Sequence, residues 1–181
     1  SIQSGSLPSS LTLNSSTGAF VGTVDDVGSD TTSNFTVRAT NTSGTTSDRA
    51  FSILVQPTQA FVAATGGSVS TNGDYKVHTF TSPGTFTVSS AGNAAGSNTV
   101  EWTIQAAGGG GGSGTAGGGG GGGFRENYPQ PATGGTPVSA QGYPITVGGG
   151  GSGAPSSPSP GVGGSGGNSS ALGFTSAGGG R

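Results

Sequence analysis

The chain has 181 residues, with five basic and seven acidic side chains, one histidine, no cysteine and 41 glycines. That balance excludes a phosphate-neutralising basic stripe, so nucleic acid is not an expected partner, and the lack of cysteine excludes disulfides, thiolate metal sites and cysteine nucleophiles. No stretch approaches the roughly 20 consecutive apolar residues that span a bilayer, and Leu, Ile, Val and Phe make up only about 17% of the chain, so a conventional core must be small.

The first residues read as the middle of a β domain, and the chain is expected to begin inside a longer polypeptide. Residues 1–57 give short strands separated by turns: Leu11 and Leu13, Ala19 to Thr23, Phe35 to Thr40 and Ala50 to Val55. Phe35, Val37 and Ala39 alternate with Thr36, Arg38 and Thr40, which gives the strand one buried face. Asn14 to Gly18 (NSSTG) and Asn41 to Gly44 (NTSG) supply the Asn and Gly that turns require. With Leu7-Pro8-Ser9-Ser10-Leu11, Val21-Gly22-Thr23 and Phe51 to Val55, these motifs resemble the immunoglobulin-like repeats of large bacterial and phage surface proteins. Such repeats carry further strands ahead of the first of these motifs, so the resemblance implies a sandwich that is N-terminally truncated or whose missing strands come from elsewhere.

After Pro57, Tyr75 to Phe80, Thr85 to Ser89 and Thr99 to Ala106 read as strands. Pro83-Gly84 between two β-rich runs predicts a hairpin over His78 to Val88. Val100, Trp102 and Ile104 fall on one face and Glu101, Thr103 and Gln105 on the other, which makes Trp102 a core anchor. No segment has a helical period.

From Gly108 onward glycine runs follow short apolar segments: VEWTIQAAGGGGG (100–112), GYPITVGGGG (142–151) and SALGFTSAGGG (170–180). A flexible linker has no reason to anchor its glycines in this way. Polyglycine in the polyproline-II form, with three residues per turn and about 3.1 Å rise, packs bare backbones side by side and hydrogen-bonds them to one another. The passage from His78 to Arg181 resembles the glycine-rich domain of phage tail-fibre and adhesin proteins. In style it resembles T-even-type adhesins, which implies a sandwich of polyglycine helices whose connecting loops contact the host surface.

An enzyme's inventory is thin. His78 reads as an ordinary strand residue, the G-x-S-x-G match at 163–167 lacks a flanking strand and helix, and Asp25, Asp26 and Asp30 match no EF-hand spacing. The sequons at Asn14, Asn34, Asn41 and Asn168 are expected by chance in so Ser/Thr-rich a chain. Catalytic residues, metal ligands and cofactors are therefore not expected. The segment from Phe124 to Tyr143 interrupts the glycine runs with aromatics, a charge pair and prolines, and loops on rigid scaffolds concentrate recognition residues. The receptor-binding candidates are Phe124, Arg125, Glu126, Asn127, Tyr128, Gln130 and Tyr143, with Ala154 to Pro160 as a second loop. Capping of the glycine layer by Phe124 and Tyr143 is the competing reading.

The expected architecture is all-β. It comprises a partial Ig-like β-sandwich over 1–57, a β-hairpin and strand module over 58–107, and a glycine-rich layer of polyglycine II helices with exposed loops over 108–181. The expected function is a structural virion protein, a tail-fibre or adhesin segment that attaches to the host cell without catalysis. The alternative is a bacterial cell-surface adhesin or extracellular filament subunit. A surface depolymerase would need paired carboxylates in a groove, which the sequence does not offer. Expected partners are a host surface receptor, protein or glycan, and other fibre or virion subunits. Unpaired glycine edges suggest a homo-oligomer, with a trimer in keeping with fibres, and no membrane insertion is expected.

Overall fold

The structure is a computed structural model and describes residues 1–127, 135–156 and 160–181. Every regular element among them is a β-strand. The chain divides into two compact units, Ser1–Gln59 and Ala60–Arg181. No helix among the described residues is long and apolar enough to cross a membrane.

The first unit is built on an antiparallel sheet in the order β1 (Ile2–Gly5), β4 (Thr31–Thr40), β5 (Thr46–Val55), accompanied by the hairpin β2 (Thr12–Leu13) and β3 (Phe20–Val21). Strand β1 is an addition to the four strands legible in the sequence. Both predicted turns form through their asparagines. Asn14 Oδ1 accepts from the amides of Ser16 and Thr17, and Asn41 Oδ1 from those of Ser43 and Thr45, so each side chain substitutes for a backbone acceptor. Phe35 is buried, with Phe20 edge-on at 5.5 Å and Phe51 stacked at 5.8 Å. Phe35 and Phe51 are cross-strand partners, as are Arg38 and Asp48, whose guanidinium and carboxylate meet in two 2.7 Å hydrogen bonds. Two of the three aspartates considered for a cation, Asp25 and Asp26, accept from protein donors. Asp25 accepts from Ser10 Oγ and Asp26 from the amides of Thr58 and Val27, the Thr58 bond foremost in holding the Asp26 carboxyl below the usual range.

The second unit begins with the three-stranded sheet β14 (Gly142–Ile145), β9 (Gly84–Ala91), β6 (Val62–Thr65). The hairpin predicted around Pro83-Gly84 does not form. Strand β8 (Tyr75–Thr79) pairs instead with β7 (Ser68–Asn72), through a two-residue loop opened by Gly73 at φ +58°. That closure is shorter, and the turn has the left-handed glycine that tight hairpins favour. Both edges of β9 are taken by β6 and by β14, whose sequence lies 50 residues downstream among the glycine runs. Small two-stranded ladders complete the unit: β10 (Thr99–Val100) with β13 (Thr136–Pro137), β11 (Thr103–Gln105) with β12 (Phe124–Glu126), and β15 (Ser169–Ala171) with β16 (Phe174–Ser176).

Five glycine-rich runs leave these strands, and we number them 1 (106–113), 2 (117–123), 3 (148–154), 4 (161–167) and 5 (177–180). Their hydrogen bonds repeat every three residues. In run 1 the amides of Ala106, Gly109 and Gly112 donate to Gly123, Gly120 and Gly117 of run 2. The amides of Ala107, Gly110 and Ser113 donate to Gly167, Gly164 and Gly161 of run 4. The carbonyls of Gly108 and Gly111 accept from Gly151 and Ala154 of run 3, and that of Ala107 accepts from Gly179 of run 5. A period of three is the signature of the polyproline-II form, in which successive groups point about 120° apart. The runs are therefore polyglycine II helices, ordered through backbone bonds that only bare chains can approach closely enough to make.

The remaining bonds fix the order around run 1. Gly120 and Gly123 of run 2 donate to run 5, Gly166 of run 4 donates to run 5, and Gly164 and Gly167 of run 4 donate to run 3. Runs 2, 5, 4 and 3 thus occupy four successive directions of the six, about 60° apart, that surround a threefold helix. Runs 3, 1 and 2 form one layer, with run 1 in the middle, and runs 4 and 5 form a second layer on one side of it. Runs 2 and 4 are antiparallel to run 1, and runs 3 and 5 parallel to it.

This pattern predicts amide exchange residue by residue. Gly164, Gly166 and Gly167 are expected to exchange slowly and Ser165, between them, fast, because Ser165 N–H has no partner among the described residues. Uniformly fast exchange across 161–167, read by NMR on the intact protein, would refute the lattice and leave a tether.

Candidate functional site

The glycine layer has two dissimilar ends. Runs 1 and 2 meet strands β11 and β12 at Ala106 and Gly123, run 3 follows β14, and runs 4 and 5 flank the β15–β16 hairpin. At that strand end Phe124, Arg125 and Glu126 form β12, in register with Gln105, Ile104 and Thr103. Phe124 is 56% exposed. Arg125 lies 5.8 Å over the Phe174 ring and donates to Thr175 O at 3.0 Å, and Phe174 in turn packs on Trp102 at 4.5 Å.

Asn127 is an internal clamp. Its amide donates to Trp102 O at 3.0 Å, its Oδ1 accepts from Trp102 N at 2.6 Å, and its Nδ2 donates to Thr136 Oγ1 at 3.1 Å and Val100 O at 3.4 Å. Thr136 Oγ1 also accepts from Trp102 Nε1 at 2.9 Å, so one hydroxyl joins the tryptophan and the asparagine. Tyr143 stands on β14 opposite Phe86, with its hydroxyl accepting from the Ser139 amide at 2.8 Å. Hydrogen bonds from the Ser139 and Gln141 side chains and the Ser139 backbone lower its pKa from the ordinary phenol value. The sequence candidates accordingly fall in two places, Phe124 to Asn127 around β11 and Tyr143 on the β9 sheet. Tyr128 and Gln130 lie outside the described residues.

At the opposite end the described residues are loops. Ser113 gathers them: its amide donates to Gly161 O at 3.0 Å, its hydroxyl accepts from Gly161 N at 3.0 Å, and the same hydroxyl donates to Pro155 O at 2.8 Å. One serine thus ties the exit of run 1 to both ends of the second candidate loop, 154–160, of which 157–159 lie outside the described residues. Beside it Val162 is 66% exposed and, with Gly112, Ala116, Gly118 and Arg181, lines a shallow groove. Sequence reasoning missed Ser113, Val162 and Arg181. Ser113-Gly114-Thr115-Ala116 interrupting a glycine run is the signal that marks a turn there.

Chemically the loop end, in its described residues, offers hydroxyls, backbone groups, the apolar side chains of Val162 and Ala116, and the cation of Arg181. His78 is elsewhere, its Nδ1 2.8 Å from Gly66 O and its ring 5.1 Å from Phe86, a packed position in β8. Among the described residues no group of three or more His, Cys, Asp or Glu side chains is placed to hold a metal ion.

Comparison with known proteins gives one match within each of the two units. Residues 1–56 match the family model described as "Putative Ig domain", and residues 80–181 match the model described as "Glycine-rich domain". No curated protein and no solved structure matches the chain. The glycine-rich match covers more than half of the residues, takes in all five polyglycine runs together with the strands that anchor them, and follows an Ig-like segment; the chain belongs to the glycine-rich domain family.

Proposed function

We propose that the chain is a non-catalytic segment of a bacteriophage tail fibre or adhesin that attaches the particle to the host cell surface. An Ig-like segment followed by a glycine-rich domain fits a surface or fibre protein. The observation that carries the finer reading is the contrast between the two ends of the glycine layer. Strands hold one end, while the other presents loops pinned by Ser113 to the ends of runs 1 and 4. Loops held in this way lose little conformational entropy on contact, which favours recognition of an extended receptor such as a surface glycan or protein. Arg125, Asn127 and Tyr143 already spend hydrogen-bonding groups inside the fold, which supports a receptor contact at the loop end, with Phe124 the exposed aromatic of the strand end.

The test is binding of the fluorescent full chain to whole bacterial cells, compared with Val162→Asp at the loop end and Phe124→Ser at the strand end. The expected result is at least a tenfold loss of cell binding for Val162→Asp and little change for Phe124→Ser. The opposite ranking would move the contact to the strand end. No binding to any cells of a host panel would sink the attachment reading.

A further inference from the structure

Of the eight asparagines in the chain, only Asn72 is followed by glycine. The fold also holds it differently from most of the others. The side-chain oxygens of Asn14, Asn41, Asn93, Asn127 and Asn168 accept hydrogen bonds, which fixes those carboxamides in place. Asn34, Asn72 and Asn98 are exposed, and their side chains have no hydrogen-bond partner among the described residues. Asn34 is followed by Phe35, buried within β4, and Asn98 by the β-branched Thr99, whereas Asn72 leads into bare backbone.

Asn72 is the last residue of β7 and pairs with Tyr75, so Gly73 and Asp74 make the two-residue loop. Gly73 at φ +58°, followed by Asp74 without a positive φ, is the pattern of a type II′ turn. The Gly73 N–H has no partner among the described residues, and a Cβ built on this glycine would meet nothing within 4 Å. An unheld carboxamide therefore precedes an unhindered amide nitrogen at an exposed tip. Neither outer edge of the β7–β8 ladder is paired, so the tip opens by releasing only its terminal pair, Asn72 with Tyr75. That release allows rotation about Asn72 ψ, which brings the Gly73 nitrogen against the carboxamide carbon.

We infer that Asn72 is a site of spontaneous deamidation, at which the tip of the β7–β8 hairpin passes from an amide to a carboxylate as the protein ages. Hydroxide removes the Gly73 amide proton, the nitrogen adds to Asn72 Cγ, and the Cγ–Nδ2 bond breaks, with ammonia leaving on a proton taken from water. The product is a cyclic imide. Water then opens it, cleaving either the new bond to Cγ, which gives aspartate, or the bond to the main-chain carbonyl, which gives isoaspartate. In sum one water is consumed and one ammonia released, with no oxidation or reduction. Either product adds a negative charge, two residues from Asp74, to a chain of net charge −2. Isoaspartate also adds a methylene to the main chain, so the loop outgrows the two residues of a tight hairpin.

The test holds the intact full chain at mildly alkaline pH and follows each asparagine by peptide mass spectrometry, with electron-based fragmentation separating isoaspartate from aspartate. The expected result is a gain of one mass unit at Asn72 at least tenfold faster than at Asn34 or Asn98, rising with hydroxide concentration and yielding both products. Gly73→Ala should slow it at least tenfold. Alanine at φ +58° loosens the turn, so that slowing cannot come from a tighter hairpin. Asn72 reacting no faster than Asn34 and Asn98, or unslowed in Gly73→Ala, overturns the inference. Conversion in urea with none in the folded chain overturns it too, since the turn would then hold the nitrogen out of reach.

Discussion

Replacing Gly110 by alanine is expected to destabilise the glycine layer by about 3 kcal/mol or more. Gly110 is buried at the middle of run 1, and its added methyl would overlap the carbonyl of Ser152 and the neighbouring Gly151 oxygen of run 3. Those atoms are backbone, so no side chain can swing aside. Runs 1 and 3 must separate, which breaks the bonds from Gly151 to Gly108 and from Ala154 to Gly111. Gly149→Ala is the matched comparison. Its methyl meets nothing within 4 Å and its φ is not positive, so it is expected to stabilise by about 0.4–1 kcal/mol. Denaturant unfolding of the two variants measures the difference, and equal midpoints would show that the runs are not packed as described.

The second large effect is expected at Asn127. Truncation to alanine leaves the partly buried Trp102 amide without its 2.6 Å acceptor and removes the donor to Val100 O and Thr136 Oγ1. An unsatisfied buried donor costs about 1–3 kcal/mol, to which the lost bonds add, so a total of about 2–4 kcal/mol is expected. Asn127→Asp keeps the acceptor while losing the donor, and should retain part of the stability. The chain has a single tryptophan, so its own fluorescence reads the clamp: Asn127→Ala should shift emission toward that of solvated indole in the folded protein. An unchanged spectrum and midpoint would free Asn127 from its structural role and return it to the surface candidates.

How far the sequence carries the fold depends on the range of the interactions that decide it. Alternation announced β4, Asn14 and Asn41 announced their turns, and the apolar face of Val100, Trp102 and Ile104 matches their burial, because all of these are local. Pro83-Gly84 misled for the same reason. Turn chemistry there is good, but pairing was decided by Gly73 on one side and by β14, far along the chain, on the other. Polyglycine II was legible from the length and anchoring of the runs, while the order of runs around run 1 was not, since every run has the same chemistry. At the site, Phe124 was legible as an exposed aromatic. The inward commitment of Asn127 required knowing that Thr136 lies beside Trp102, a contact 34 residues apart in sequence.

The threefold repeat of the runs also limits how such a chain can change length. Inserting one residue inside run 1 would rotate everything after it by about a third of a turn, aiming amides meant for run 2 at run 4. Inserting three restores every direction and only advances the helix by one pitch. Within a run, length is therefore quantised in triplets of residues, nine nucleotides of coding sequence, whereas the turn at 114–116 and the loop that leaves Ala154 carry no such phase. Drift in loop length is invisible to the scaffold, and a single-codon slip inside a run is not.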